Sequence, residues 1–155
     1  MLRILIGRGA DLNVRAENGA CVLHYAVTRG HGDVVNLLLD QGMDINAQDR
    51  CGLTPLHYAV RGNQIDIVKR LLKHNADTEL RENQGRTPLL LAAQQGVTEI
   101  FGVLARGGAN IDVKLDSGKT VVDLARANHH PEIIAFLDGY RRELNERRQN
   151  STAQY

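Results

Sequence analysis

The sequence predicts an all-α repeat solenoid, in which helix-turn-helix units stack in a row and short β-hairpin loops join them. Three observations predict it. First, the 155-residue chain written in rows of 33 places Gly19, Gly52, Gly85 and Gly118 in one column. Leu23, Leu56 and Leu89 share a second column with Val122, and Ala26, Ala59, Ala92 and Ala125 form a third. Val34, Ile67, Ile100 and Ile133 make a fourth, and Leu38, Leu71, Leu104 and Leu137 a fifth, with no insertion or deletion. Second, a Thr-Pro-Leu start recurs at Thr54 and Thr87. Third, Gly or Asn stands at most positions where a helix must stop. Self-similarity at a fixed period of this length marks a repeat architecture.

Each unit is built in the same order. A glycine-containing turn leads to a Thr, a good N-cap, and then to Pro. Pro is tolerated at the first helical position because its missing N–H would be unpaired there anyway. The first helix turns Leu and Ala inward and ends at Gly30, Asn63, Gly96 or His129. Gly and Asn accept the left-handed conformation of a helix end most readily. The second helix starts near Asp33, Asp66, Glu99 or Glu132, acids suited to the positive end of the helix dipole. It carries an apolar stripe such as Val34, Val35, Leu37 and Leu38, and ends at Gly42, Asn75 or Gly108. Such a pair cannot bury its own apolar faces and must stack on its neighbours.

The blocks Thr54-Pro55-Leu56-His57-Tyr58-Ala59 and Gly9-Ala10-Asp11-Leu12-Asn13 resemble the T-P-L-H-x-A and G-A-D-x-N blocks of ankyrin repeats. The resemblance runs over about residues 1–137 and implies an ankyrin-repeat stack. Residues 1–15 read as a truncated half repeat, because Met1 aligns with Val34 inside a second helix. Ankyrin repeats follow at 16–48, 49–81 and 82–114. A C-terminal capping repeat occupies 115–148, and a frayed tail is expected at 149–155. The truncated start suggests a fragment of a longer protein. The last copy lacks the Gly-Ala-Asp block. Its second helix is expected to run from Pro131 through Tyr140 and Leu144, with polar residues 141–148 closing the stack. The copy at 82–114 is expected to be the loosest. Gly102 sits in mid-helix, Ala105 replaces the Leu of Leu39 and Leu72, and Gly107-Gly108 follows. Helix 99–106 should therefore exchange amide protons fastest among the internal helices.

Composition removes several function classes. With 19 basic and 18 acidic residues the formal net charge is +1, which gives no electrostatic ground for nucleic-acid or membrane binding. No apolar run approaches the roughly 18–20 residues that span a bilayer. Cys21 and Cys51 have no metal-type spacing and suit neither a disulfide-stapled secreted domain nor a zinc module, so a cytoplasmic location is expected, or a nuclear one.

Catalytic and cofactor motifs dissolve on inspection. Gly118-Lys119-Thr120 resembles the end of a phosphate loop, but Val113 stands where the pattern needs its first glycine. Gly30-His31-Gly32 lacks the third glycine of a dinucleotide fingerprint, since Val35 stands there. His129-His130 has no Cys or acid cluster to finish a metal site, and His31 and His74 read as surface residues. Ser117 and Ser151 lie in a loop and the tail, Cys51 has no base beside it, and Cys21 replaces a capping Thr as a buried, inert thiol. No enzymatic activity, cofactor or metal is expected. In ankyrin-like proteins the block histidine hydrogen-bonds neighbouring loops, a role the resemblance gives to His24 and His57. Asn13 and Asn46 close Leu-x5-Asp-x-Asn strings that resemble substrates of an animal asparaginyl hydroxylase, although the repeat consensus accounts for them.

Packing fixes the buried columns, so function is expected on exposed ones. The resemblance implies a concave binding face made of hairpin tips and the outer side of the first helices. Of the tips, Arg50, Leu53 and Arg86 are the candidates; along the helices they are Tyr25, Arg29, Tyr58, Arg61, Leu91, Gln94 and Gln95. Tyr25 and Tyr58 each have an Arg three or four residues later, on the same helical face. Tyr and Arg are the types enriched in interface hot spots, though a Tyr here also suits gap-filling between helices. Mixed charge at the tips favours a protein partner over a polyanion. The expected function is a non-catalytic protein-interaction module within a scaffold, adaptor or regulatory protein, acting as a monomer. The competing reading is a regulatory or sensor domain of a multidomain enzyme, channel or immune-type receptor.

Overall fold

The computed structural model describes Ile4 and residues 7–153. The expected half repeat at 1–15 therefore lies partly outside the described residues, as does the end of the expected tail. The helices are α1 (Val22–Thr28), α2 (Gly32–Asp40), α3 (Pro55–Arg61), α4 (Ile65–Lys73), α5 (Pro88–Gln95), α6 (Thr98–Arg106), α7 (Val121–Ala127) and α8 (Pro131–Thr152). They form two layers. The first helices α1, α3, α5 and α7 pack side by side, and so do the second helices α2, α4, α6 and α8. Each first helix also packs on the second helix of its own unit. The four apolar columns become the core between the layers, with Val34 and Val122 half-buried at its margin, while the glycine column lies in the turns.

Local chemistry sets the helix ends. Thr54, Thr87 and Thr120 accept the N–H of the residue three positions on, at 3.3, 3.3 and 3.2 Å. At α1 the Cys21 sulfur takes this place in the capping box without making a full cap hydrogen bond. The stops at Gly30, Asn63, Gly96 and His129 all have positive φ. Gly96 serves a second purpose, because a side chain there would run into the His130 ring.

The expected β-hairpin loops are tight turns with hardly any strand. Among the described residues the only bridges are Arg15 with Cys21 and Lys114 with Thr120. Adjacent tips are joined by main-chain bonds instead: Arg50 N–H donates to the Asn18 carbonyl at 2.9 Å, and Asn83 N–H to the Cys51 carbonyl at 2.8 Å. That closeness requires glycine. A Cβ on Gly52, whose φ is 78°, would stand 3.0 Å from the Glu82 Cα. A polar side-chain column adds staples across the repeats. Arg15 donates to the carbonyls of Gly19 and Gln48, Gln48 to those of Gly52 and Arg81, and Arg81 to those of Gly85 and Lys114. Asn46 has a similar structural role, its Oδ1 accepting the Asp77 N–H at 2.9 Å.

Two sequence expectations need adjusting here. Helix α8 continues to Thr152, four residues into the segment expected to fray, so the cap is longer than its apolar pattern implied. Ile133 and Leu137 are its buried residues, and beyond residue 144 the helix is fully exposed as far as it is described. The looseness expected around Gly102 meets a compensating contact. The Phe136 ring of α8 lies over it, 3.1 Å from where a Cβ would be, and meets Phe101 edge-on at 5.7 Å. The Tyr140 hydroxyl then donates to the Ala105 carbonyl at 3.1 Å. The small residues of α6 thus receive the aromatic side chains of the cap.

Candidate functional site

One groove of about 450 Å³ runs along the first-helix side of the middle repeats. The tips that precede α3 and α5 contribute Cys51, Leu53, Glu82, Gln84 and Arg86. Helix α3 contributes Arg61, α5 contributes Leu91, Gln94 and Gln95, and Asn128 closes the end beyond α7. Six of the ten candidate residues therefore meet in one place: Leu53, Arg61, Arg86, Leu91, Gln94 and Gln95. A smaller cleft of about 310 Å³ adjoins it, lined by Thr28, Tyr58, Arg61, Gly62 and Gln64. Arg61 belongs to both. Tyr25, Arg29 and Arg50 line neither, although all three are exposed.

The turns that shape the groove are closed by carboxylates. Asp49 Oδ1 accepts the N–H groups of Cys51 and Leu53, both at 2.9 Å. One repeat later Glu82 Oε1 accepts those of Gln84 and Arg86, both at 3.0 Å. Each acid has one oxygen left. That of Asp49 accepts the Tyr58 hydroxyl at 2.8 Å, and that of Glu82 faces Arg86 Nη2 at 3.3 Å. Glu82 is only 7% exposed. Burial pushes its carboxyl up, but the Arg86 guanidinium and the turn N–H groups outweigh this and hold it below its ordinary value. Arg86 is fixed in turn by donating Nη1 to Gln94 Oε1 at 2.8 Å.

The candidates do not all have the expected exposure. Leu53 is 7% exposed and Leu91 4% exposed, so neither offers a free apolar surface. Leu91 shares a column with Tyr25, Tyr58 and Leu124, and that column faces the seam between neighbouring first helices. Tyr58 shows the geometry: its ring meets His24 of the preceding helix at 4.8 Å between centroids. With its hydroxyl committed to Asp49, Tyr58 is a strut between repeats. Burial and that hydrogen bond push its phenol well above the ordinary value. Tyr25 is 50% exposed. Among the described residues no first helix precedes α1 to cover it, and Ala16 stands in the column of Asp49 and Glu82.

The block histidines do what the resemblance implied. His24 Nε2 donates to the Leu53 carbonyl at 2.9 Å and His57 Nε2 to the Arg86 carbonyl at 3.0 Å. The Nδ1 of each then accepts the N–H of its own N-cap residue, at 3.1 Å from Cys21 and 3.2 Å from Thr54. Burial holds the His57 imidazole below its ordinary value. At Cys21 burial pushes the thiol up, but the His24 ring, 3.2 Å from Sγ, outweighs this and brings it below the ordinary thiol value. Sequence reasoning missed His130, whose Nε2 donates to the Gln94 carbonyl at 3.1 Å and so supports the groove from below. It also missed Asp49 and Glu82, although the signal was present: an acid three residues before the turn glycine in two successive rows.

Among the described residues no three His, Cys, Asp or Glu side chains come close enough to hold a metal ion. No helix among them is long and apolar enough to cross a membrane. Stacked helix pairs with a polar groove along the first helices define a repeat solenoid. The chain belongs to the ankyrin-repeat family: the family model for ankyrin repeats (3 copies) matches residues 1–82 and 61–147. Ankyrin repeats are generally protein-interaction modules. A search of curated proteins finds no match for the chain.

Proposed function

We propose that this protein is a non-catalytic interaction module that presents the groove between α3, α5 and their tips to a protein partner, as part of a scaffold, adaptor or regulatory protein. The observation that carries the reading is the convergence of Leu53, Arg61, Arg86, Leu91, Gln94 and Gln95 on one groove. Buried histidines, turn carboxylates and main-chain bonds between tips hold this surface rigid before any partner arrives. Rigid presentation reduces the ordering cost of association. The groove is open and shallow, and suits a polypeptide better than an enclosed small molecule.

The test uses the full chain and an Arg61→Glu/Gln95→Arg variant whose urea unfolding midpoint matches the wild type. Both are used to capture proteins from native lysate. The reading expects at least one protein held by the wild type and lost with the variant. An identical captured set for both would place binding elsewhere and overturn it.

A further inference from the structure

The charge of the groove is unbalanced at one residue. Its ionisable lining groups are Cys51, Arg61, Glu82 and Arg86. Glu82 and Arg86 neutralise each other at 3.1 Å. In the adjoining cleft the ionisable groups are Tyr58 and Arg61, and the Tyr58 hydroxyl stays protonated and donates its hydrogen bond to Asp49. Arg61 is exposed, makes no ion pair among the described residues, and lines both spaces. An exposed guanidinium with no carboxylate paired to it attracts a planar anion that it can grip with two parallel N–H bonds.

Apart from the nearly buried Leu53 and Leu91, the rest of the lining is amide. Gln84 and Gln95 make no side-chain hydrogen bonds among the described residues, Gln94 uses only its oxygen, and Asn128 uses only its Nδ2. Gln84 and Gln95 thus offer donors and an acceptor, Gln94 its Nε2 donors and Asn128 its Oδ1 acceptor, which complement the groups of an extended peptide main chain. A phosphate would call for a second cation, and Arg86 is already held by Glu82 and Gln94.

We infer that the groove takes an extended peptide segment of a partner protein, oriented by one Asp or Glu side chain that pairs with Arg61 while the glutamines meet its main chain. This inference rests on the groove being the interaction face. The probe that tests it is a display library of random twelve-residue peptides selected on the full chain. Selected peptides should be enriched in Asp or Glu at one position. Arg61→Glu should weaken their binding by about tenfold or more, the range for a charge pair that loses water on binding. A fresh selection on the Arg61→Glu variant should favour Lys or Arg at that position. Thermal melting confirms that the variant folds, and Arg61→Ala serves as a second variant free of charge reversal.

Peptides lost with Arg61→Glu/Gln95→Arg but enriched in apolar or basic residues would overturn the inference and leave the interaction face intact. Acidic peptides that bind the Arg61→Glu and Arg61→Ala variants as well as the wild type would also overturn it. If no peptide is selected, or none responds to any groove substitution, the inference and the proposed face fail together.

Discussion

The Tyr58 hydroxyl donates to the Asp49 carboxylate at 2.8 Å, and the Tyr58 ring rests edge-on against His24 of the preceding repeat. One side chain thus joins three things that the repeat must keep in register: a first helix, its own turn, and the helix before it. A hydrogen bond to a charged acceptor contributes about 1.5 kcal/mol or somewhat more. Tyr58→Phe keeps the ring contact and removes only that bond. Urea unfolding should show a loss of about 1–2 kcal/mol at neutral pH. A spectrophotometric titration should lose its latest-ionising tyrosine phase, since burial and Asp49 push this phenol up. A late phase that persists in the variant, with the lost amplitude taken from the ordinary range, would mean that the bond does not hold in solution.

Much of this was legible in the sequence, and the boundary has a physical cause. Periodicity identifies which columns are buried because the same residue type recurs wherever the packing environment recurs. It therefore located the core and the helix ends, and brought six candidates to one groove. It misjudged Leu53 and Leu91, because their burial depends on what the neighbouring repeat presents across a seam. Tyr25 and Tyr58 occupy one column yet differ in exposure for that reason. Asp49 and Glu82 were overlooked because an acid on a turn looks like a solvated surface until its oxygens are assigned to particular N–H groups. The filling of Gly102 by Phe136 pairs residues 34 positions apart on different units, a relationship no column displays.

Cys21 is a Thr position occupied by a thiol, so the capping box of α1 is closed by a weak sulfur acceptor where Thr54 gives α3 a hydroxyl cap bond. Cys21→Thr should stabilise the chain by about 0.5–1 kcal/mol, the usual worth of an N-cap. Space is not limiting, since Thr54 sits equally buried in the next unit. Equilibrium unfolding decides it, and a destabilised variant would mean that the Sγ···His24 pairing is worth more than the cap.

The two cysteines separate reactivity from exposure. His24 draws the Cys21 thiol below its ordinary value, which favours the reactive thiolate, but the residue is only 3% exposed. Cys51 is exposed at a tip. Access should prevail, because a buried thiolate cannot meet its reagent. Intact-mass analysis after brief iodoacetamide treatment should show one adduct, mapped to Cys51 in the native protein, and two in urea. First labelling at Cys21 would show that α1 opens readily.

His57 links stability to pH. Burial holds its imidazole below the ordinary value of 6.5, so the unfolded chain takes up this proton before the folded one does. Its contribution is complete above 6.5 and is lost as pH falls through that value towards the lower native one. His24 runs the other way: burial lowers it, but Cys21 and the Leu53 carbonyl raise it overall. The net slope of the whole protein is therefore uninformative, and the individual ring must be followed. Proton NMR titration of the His57 ring should give a midpoint below 6.5; a midpoint at or above it would contradict the buried, doubly bonded geometry.

Glu82 offers the sharpest test of how the groove is held. Its two oxygens take up two turn N–H groups and the Arg86 guanidinium, on a carboxyl that is itself only 7% exposed. Removing the carboxylate leaves Arg86 without its counter-charge and the turn without its closing acceptor. Breaking a buried charged network from one side costs about 3 kcal/mol or more, well above the value of a surface pair. Glu82→Ala should lose about that much in urea unfolding, and Glu82→Gln less, because the amide oxygen can still close the turn. The pH signature has the opposite origin to that of His57 but the same direction. The native carboxyl lies below its ordinary 4.5, so its contribution is complete above that value and is lost as pH falls towards the native one. The wild type should therefore lose stability faster than Glu82→Gln as the pH is lowered through 4.5. Parallel acid limbs for the two proteins would mean that Glu82 is solvated, and the turn beneath the groove would then be held by its main chain alone.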